Sequence, residues 1–299
     1  MAKKKIAIYR FMSAGCNGCD VQIFECLVPR YKLGDLGIEV VFTPEEANVL
    51  AITGSINVKG AEELKMAYRK LKSPKIVVAV GNCAATKGIF SKGYPIVGPP
   101  DRIVPVNLYI PGCPPRPQAI VSAIAKALGV SLDEKEDYWS APEGFRGKHE
   151  FDAEKCIGCG ACAQVCSSDA IEVIDEDEKR LVRINYAQCT FCGFCQDECP
   201  TQAIRLTREY HLSTDNKKTA YVMNKVEMFR CRVCGSYYVP SEQIRWAVER
   251  IMEKAAVYRD LRKELEDAMQ ICPECRRKIV NVENAKKLLT SLAIKTRAS

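Results

Sequence analysis

The sequence predicts an α/β fold for residues 1–140, with a doubly wound parallel sheet of the flavodoxin-like kind. Five apolar runs rich in β-branched residues recur in this part of the chain, at 5–10, 37–42, 48–53, 75–80 and 105–110. Helical patterns separate some of these runs. Continuous apolar strands that alternate with helices are typical of a parallel sheet whose two faces are both covered. The 47% hydrophobic content of the 299 residues is sufficient for at least one large core.

Two segments of this region, 59–73 and 115–129, have apolar residues at helical spacing. Pro117 stands where proline favours the first turn of a helix, because its missing N–H would have no partner there. We therefore expect both segments to be helices that pack on the sheet.

The cysteine content and the start of the chain predict a reduced, cytoplasmic protein. Nearly all of the 17 cysteines fall in close groups with the spacing of metal ligands, and Cys26, which stands apart, is interpreted as a core residue. The opening MAKKKIAIYRF has no long apolar signal segment, and runs such as KIVVAV are too short to cross a bilayer. The net charge of +7 comes without an aromatic or arginine-rich stripe, so no nucleic-acid partner is predicted.

Four cysteines follow predicted strands of the first region, although they are far apart in sequence. Cys16 and Cys19 follow the first run, Cys83 follows the fourth, and Cys113 follows the fifth. Because loops at the carboxyl ends of parallel strands emerge side by side, we expect the four thiolates to form one site, called here the N-terminal site. Four thiolates can bind zinc or a [4Fe–4S] cluster. Two iron–sulfur motifs further along the chain favour the cluster.

Residues 141–230 contain the motif C-x2-C-x2-C-x3-C twice, as CIGCGACAQVC and CTFCGFCQDEC. This spacing is typical of an α+β ferredoxin domain with two [4Fe–4S] clusters, in which the fourth cysteine of each run binds the other cluster. The predicted ligands are Cys156, Cys159, Cys162 and Cys199 at site one, and Cys189, Cys192, Cys195 and Cys166 at site two. Pro200 follows Cys199, whereas Ser167 follows Cys166, a change that removes no ligand. The segment between the motifs predicts a β-hairpin with a charged turn.

Residues 231–299 are predicted to form a small helical tail with a zinc-ribbon-like site. The pairs CRVC and CPEC supply one tetrahedral site, called the tail site, with the ligands Cys231, Cys234, Cys272 and Cys275. Zinc is the preferred ion, and a single rubredoxin-like iron is the alternative, since both take four thiolates. The segment between the pairs is largely helical by pattern, with Ser241 as a possible N-cap and apolar residues from Ile244 to Leu261 at helical spacing.

The motifs CNGC, GNC and PGCPP resemble those of the small subunit of nickel–iron hydrogenases and of its relative in respiratory complex I, the subunit that carries the terminal cluster. Complex I has two adjacent cysteines at the first position, so the spaced pair Cys16 and Cys19 resembles the hydrogenase form. From FRGK through CPTQAI, CRVC and CPEC, the rest of the chain resembles the ferredoxin subunit of formate-hydrogenlyase-type hydrogenases. The whole chain is thus similar to a fusion of two subunits of group 4 hydrogenases.

One position departs from this resemblance. Membrane-bound, energy-converting hydrogenases that share CNGCD usually have a glutamate two residues after the aspartate, and Gln22 stands there in this chain. Glutamine does not ionise, so a proton role at this position is in question. Asp20 and Glu25 are each open to two interpretations, as proton carriers or as structural carboxylates.

The resemblance implies an electron-transfer subunit of an oxidoreductase, with no catalytic residues of its own. Electrons from a ferredoxin or a formate dehydrogenase module would pass through the two ferredoxin clusters to the third cluster at the N-terminal site. That cluster would face a large subunit whose nickel–iron site evolves or takes up H2, since no C-x2-C pair is left here to bind nickel. The complex would include membrane subunits and would hold the chain peripherally on the inner face of the cell membrane.

Two alternatives stay open. A complex-I-like oxidoreductase that reduces a quinone or a sulfur compound without nickel has the same small-subunit fold, and Gln22 is compatible with it. A free-standing electron carrier or zinc-ribbon interaction protein is the other class. It is disfavoured because the N-terminal cluster would then have no acceptor beside it.

Overall fold

The computed structural model describes residues 6–31, 37–127, 129, 139–254, 262–278 and 286–287. The described residues of the first region form the strands β1 (Ile6–Met12), β2 (Ile38–Val41), β3 (Val49–Thr53), β4 (Ile56–Asn57), β5 (Ile76–Val80), β6 (Ile96–Gly98) and β7 (Leu108–Ile110). Five of them form one parallel sheet, the N-terminal sheet, in the order β2-β1-β3-β5-β7. The predicted doubly wound sheet is confirmed. The short strands β4 and β6 pair with each other in antiparallel fashion.

Helices cover both faces of this sheet, as the continuous apolar strands require. They are α1 (Gly18–Glu25), α2 (Val58–Lys70), α3 (Asn82–Thr86) and α4 (Pro117–Ala127). One core joins α1 and α4 to the sheet through Ile23 and Ile120, and a second core lies under α2 around Leu64. Pro117 begins α4 as predicted, and the Asn57 side chain caps α2 by accepting a hydrogen bond from the Gly60 N–H.

The second region combines short helices with antiparallel strands. Its elements are β8 (His149–Phe151), α5 (Ala161–Gln164), β9 (Ile171–Glu176), β10 (Lys179–Asn185), α6 (Phe194–Asp197), β11 (Ile204–Leu206), β12 (Tyr221–Arg230) and β13 (Tyr237–Pro240). The predicted hairpin is confirmed as β9 and β10, and it belongs to a sheet with the order β13-β12-β10-β9. Strands β8 and β11 form a separate antiparallel pair beside the cysteine motifs.

The tail contains α7 (Ser241–Lys254), α8 (Arg262–Met269) and α9 (Pro273–Arg276). Helix α7 begins at Ser241, the predicted N-cap. Of the apolar residues predicted at helical spacing in this segment, Ala255, Tyr258 and Leu261 lie outside the described residues. Strand β13 lies beyond the predicted boundary at 230 and pairs with β12, so the tail is continuous with the preceding sheet.

The second region packs directly on the N-terminal sheet. Tyr109 on β7 and Thr214 exchange two backbone hydrogen bonds, with N···O distances of 2.8 and 2.9 Å. The buried contact is made of small side chains, because Ala79, Ala84 and Ala85 of the first region meet Ala187 and Ala220 of the second. Small residues let the two backbones approach closely. Among the helices that the structure describes, none has the length and apolar character needed to cross a bilayer.

Candidate iron–sulfur and metal sites

The four cysteines of the predicted N-terminal site lie together at the carboxyl edge of the N-terminal sheet. Cys16 and Cys19 flank the start of α1 after β1, Cys83 lies in α3 after β5, and Cys113 lies in the loop after β7. The thiols are close enough to influence each other electrostatically, since Cys83, Cys113 and Cys16 each add to the rise that burial causes in the pKa of Cys19. The structure therefore brings these sequence-distant cysteines to one place, as the strand order predicts.

Backbone hydrogen bonds join the loop of Cys83 to the loop of Cys113. The N–H of Gly81 donates to the Ile110 carbonyl at 2.9 Å, and the N–H of Asn82 donates to the Gly112 carbonyl at 3.0 Å. The Asn82 side chain completes the connection, because its Oδ1 accepts a hydrogen bond from the Gly112 N–H at 2.8 Å. Two ligand loops from different strands are thus held in a fixed relation.

The electrostatics of the N-terminal site favour a bound cationic group. Burial, reinforced by the neighbouring thiols, raises the pKa of Cys19 well above its usual range and raises that of Cys83 to about 12. Burial also raises the pKa of Cys113, with Cys16 contributing. Thiols that resist ionisation alone become thiolates when a metal supplies positive charge. A [4Fe–4S] cluster does so, and its cysteine ligands at the N-terminal site would be the four named above.

The polar residues of α1 have structural partners. Asp20 is buried, and its Oδ1 accepts two hydrogen bonds. The Arg10 guanidinium donates one at 2.6 Å, and the Thr53 hydroxyl donates the other at 2.9 Å. The side-chain N–H of Gln22 donates to Glu25 at 3.1 Å, and Glu25 also forms an ion pair with Arg30. These are the contacts expected of structural carboxylates.

Cys26, predicted to be a core residue, is 1% exposed and lies in the core between α1 and α4. Its thiol donates to the Gln22 carbonyl at 3.1 Å. Burial raises its pKa to about 12, which keeps the thiol neutral.

The ferredoxin-type cysteines separate into the two predicted groups. A small cavity is lined by all four predicted ligands of site one, Cys156, Cys159, Cys162 and Cys199. At site two, the pKa of Cys189 is raised to about 12, chiefly by burial. The nearby thiols of Cys195, Cys166 and Cys192 contribute to this rise in the pKa. Cys166 therefore lies with the second motif although it belongs to the first. This crossing is the arrangement that the repeated motif predicts.

Peptide N–H groups point at sulfurs in matching positions of the two motifs. The Ala170 N–H donates to Cys166 Sγ, and the Ala203 N–H donates to Cys199 Sγ, both at 3.2 Å. Hydroxyls of Ser168 and Thr201 lie 3.8 Å from the same two sulfurs. Such donors stabilise negative charge on sulfur, so the donor sets fit cluster ligands.

Site two also lies against the N-terminal site, which the sequence did not predict. The Asn82 side-chain N–H donates to the Tyr186 carbonyl at 2.8 Å and to the carbonyl of Cys189. Asn82 precedes Cys83, so one buried side chain connects ligand loops of both sites. The Thr86 hydroxyl, also on α3, donates to the Ala187 carbonyl at 2.8 Å.

The tail site is compact enough for a single ion. The sulfurs of Cys231, Cys234, Cys272 and Cys275 all lie within 4.8 Å of one another. A tetrahedral ion with sulfur ligands at about 2.3 Å would separate those sulfurs by roughly 3.8 Å. The observed distance from Cys234 Sγ to Cys272 Sγ is 3.7 Å. Although burial opposes ionisation, backbone N–H groups of Cys234, Cys272 and Val233 lower the pKa of Cys231 to about 6.

Comparison with known proteins agrees with this arrangement. The family model described as the 20 kDa subunit of NADH ubiquinone oxidoreductase matches residues 16–127, and a 4Fe-4S dicluster domain matches residues 150–206. A probable membrane-bound hydrogenase subunit of Pyrococcus furiosus is 38% identical over 121 residues, which are 40% of this chain and 72% of that protein. Formate hydrogenlyase subunit 7 of Escherichia coli is 33% identical over 190 residues, 62% of this chain and 69% of that protein.

Among solved structures, a chain of the archaeal membrane-bound sulfane sulfur reductase is 30% identical and aligns with a TM-score of 0.38 over 46% of this chain and 80% of that one. The two curated relatives exceed 30% identity over more than two thirds of their own length. The cysteine pattern at the sheet edge lies within the first matched family model, and the crossed motifs lie within the second. The chain therefore belongs to the family of the 20 kDa subunit of NADH ubiquinone oxidoreductase, and it carries a 4Fe-4S dicluster domain after that subunit's fold.

Proposed function

We propose that this chain is the electron-transfer subunit of a membrane-associated, group 4 nickel–iron hydrogenase complex. Three [4Fe–4S] clusters would be held at site one, site two and the N-terminal site, and zinc at the tail site. The relatives named as a membrane-bound hydrogenase subunit and a formate hydrogenlyase subunit support this assignment. The single observation that carries it is the Asn82 side chain, which joins the ligand loop of Cys189 to that of Cys83. Adjacent sites allow electrons to pass between them.

The open side of the N-terminal site supports contact with a large subunit. Cys16 and Cys113 are exposed, and helix α1, which begins between Cys16 and Cys19, also exposes Val21 and Phe24, with exposed fractions of 60% and 42%. We call Val21, Phe24 and the exposed Leu27, which follows the end of α1, the α1 apolar surface. Exposed apolar side chains on the helix that carries a ligand are expected where a partner covers the site. That partner would be the nickel–iron large subunit, and membrane subunits would hold the complex at the inner face of the membrane.

A nickel-free, complex-I-like oxidoreductase is the second candidate. Gln22 favours it, because this neutral side chain lines the cavity beside Cys113 where a proton-carrying glutamate would serve a hydrogenase. In the hydrogenase complex, by contrast, the electron donor to this chain would be a ferredoxin or a formate dehydrogenase module.

The test is anaerobic affinity purification of the complex through this chain, followed by assay of iron, sulfide, zinc and nickel. We expect about twelve irons per chain and a co-purified large subunit that contains nickel. A large subunit without nickel would select the second candidate, and a monomer would exclude both. The variant V21D/F24D should lose the large subunit, whereas M66D, at an exposed apolar position on α2, should retain it.

A further inference from the structure

We propose that His149 donates a hydrogen bond to the sulfur of Cys189 and thereby makes the cluster at site two easier to reduce than the cluster at site one. This inference rests on the proposed clusters. His149 begins β8 and is 2% exposed, and its Nε2 lies 3.9 Å from Cys189 Sγ. It is one of only two histidines in the chain.

The imidazole ring is held in place from several sides. Strand β8 pairs with β11, which fixes the His149 backbone opposite Leu206. The ring stacks on Tyr186 at a centroid distance of 6.1 Å and packs against Phe191 at 5.8 Å. The Tyr186 hydroxyl also donates to the His149 carbonyl at 3.3 Å. These contacts keep Nε2 directed at the sulfur.

The surroundings of the two ring nitrogens select which one carries hydrogen. Nδ1 of His149 is buried and has no hydrogen-bond partner in the part of the chain that the structure describes. A hydrogen on Nδ1 alone would be a buried donor without an acceptor, and the Nε2 lone pair would face the thiolate of Cys189. A hydrogen on Nε2 points at that thiolate. The tautomer with Nε2–H is therefore favoured.

The internal repeat shows that this donor is specific to site two. When the two cysteine motifs are aligned, His149 before Cys156 corresponds to Val182 before Cys189. Val182 lines the cavity of site one, where its side chain has no polar hydrogen to donate. The repeat thus offers an imidazole to one site and an isopropyl group to the other.

Other donors around the two sites are matched with one exception, because the Phe191 N–H donates to Cys189 Sγ at 3.2 Å. The amides of Ala170 and Ala203 are matched in distance to their sulfurs, as described above. Each motif also receives one guanidinium: Arg146 donates to the Cys192 carbonyl at 2.9 Å, and Arg180 donates to the Gly158 carbonyl at 3.1 Å. The imidazole and the Phe191 amide are thus the differences among these contacts, and both place a donor at Cys189 of site two.

A hydrogen bond to a ligand sulfur stabilises the reduced cluster, which is the more negative form, and so raises its reduction potential. Site two is the site that contacts the N-terminal site through Asn82. A higher potential there would favour the electron on the side of the chain nearest to the N-terminal cluster.

The first test replaces the ring in the full, cluster-loaded chain. His149→Phe keeps an aromatic side chain and removes the N–H, and His149→Gln returns an N–H at a similar position. In an EPR-monitored redox titration, we expect the Phe variant to shift the midpoint of one ferredoxin cluster to a more negative value. The expected change in its reduction equilibrium is about tenfold, which corresponds to about 59 mV for one electron. The other midpoint should be unchanged, and Gln should restore part of the shift.

The second test detects the contact in the unmodified chain. The chain has two histidines, and the other one, His211, is exposed. Labelling with ¹⁵N-histidine therefore introduces His149 as the labelled ring that lies at a cluster ligand. Pulsed EPR of the reduced chain should show a ¹⁵N hyperfine coupling to one cluster, which His211→Gln retains. An iron-loaded chain without this coupling, or equal midpoints in His149→Phe and the unmodified chain, would overturn the inference. If the His149→Phe variant fails to fold, the ¹⁵N hyperfine coupling in the unmodified chain tests the inference by itself. Absence of iron at sites one and two would instead contradict the proposed function.

Discussion

At Gly81 the absence of a side chain provides space for the sulfur of Cys19. A Cβ added to this glycine would lie 2.3 Å from Cys19 Sγ, well inside the contact distance of two atoms. The backbone at Gly81 also has a φ of +85°, which side chains other than glycine rarely adopt. A residue outside the ligand set thus determines whether a ligand can reach its position.

We predict that Gly81→Ala empties the N-terminal site while sites one and two stay loaded. The added methyl group must displace either the Cys19 sulfur or the loop that carries Cys83, so about four of about twelve irons should be lost. Gly144→Ala is the matched control, because Gly144 has a φ of +76° with nothing near its Cβ position. Iron and sulfide assays compare the two variants. Equal iron loss in both would attribute the effect to backbone strain alone.

At this scale the sequence predicts ligands better than it predicts their neighbours. The cysteines could be assigned because strand ends and repeated spacing locate them. Asn82 and His149 could not, because their contacts with Cys189 arise only when distant segments pack together. A comparison of the two repeats would have identified His149, since it replaces a valine at the equivalent position.

Helix α3 connects the N-terminal sheet, through Asn82, to the second region described above, which contains both cysteine motifs and is called here the ferredoxin-like region. We predict that Asn82→Ala slows electron transfer between site two and the N-terminal site while leaving all three clusters bound. The change leaves the buried Gly112 N–H and Tyr186 carbonyl without this partner, at a cost of about 1–3 kcal/mol each, and loosens the two loops relative to each other. Rapid-freeze EPR after reduction with an artificial donor measures the rate.

Asn48→Ala provides the control for this prediction. Asn48 Oδ1 accepts a hydrogen bond from the Ala7 N–H at 3.0 Å at the opposite end of the same sheet. Its loss should lower stability without changing the transfer rate. Equal rates in the Asn82 and Asn48 variants would mean that α3 does not determine the coupling between the sites.

Within the described part of the tail, the cysteines themselves form the core of the tail site. The buried residues around the tail site are Cys231, Cys272 and Cys275, with Tyr238 and Ile271 packed against them. We predict that Cys275→Ser releases the tail metal, because one of four ligands is lost, and increases hydrogen exchange in β13 and α9. Iron content should not change. Ser236→Ala, which removes a hydroxyl 2.9 Å from Cys234 Sγ but no ligand, should keep the metal. Loss of iron in Cys275→Ser would contradict a separate, single-ion tail site.

Regular elements with strong patterns were predicted, and short or late ones were not. The parallel strands and the β9–β10 hairpin follow from apolar runs and a charged turn. Strand β12 was missed, although Asn224, Val226 and Met228 alternate as buried residues along it. The pairing of β4 with β6 involves too few residues to leave a pattern. The boundaries at 140 and 230 stay predictions, and the pairing of β12 with β13 shows that the sheet extends across the second.

Across the whole molecule, site two of the ferredoxin-like region adjoins the N-terminal site, which lies at an open edge. Site one shares the crossed repeat with site two, and site two contacts the N-terminal site through Asn82. Cys16 and Cys113 of the N-terminal site are exposed, and the α1 apolar surface follows Cys19 along the chain. An electron that enters through the ferredoxin-like region would therefore leave toward a partner at that edge.

This order predicts that reduction of the chain and delivery to the partner can be separated. Cys19→Ala removes one of four ligands from the N-terminal site, whose loops come from three different strands, while sites one and two lie on other elements. We expect the ferredoxin clusters of this variant to accept electrons from an artificial donor, as followed by EPR, and turnover by the partner subunit in the same complex to be abolished. Cys26→Ala is the matched control, because this buried cysteine lies at the end of the same helix and outside the ligand set. It should keep both functions. Persistent turnover in an intact Cys19→Ala complex that lacks the N-terminal cluster would mean that electrons leave by another route, and that the N-terminal sheet only supports the complex.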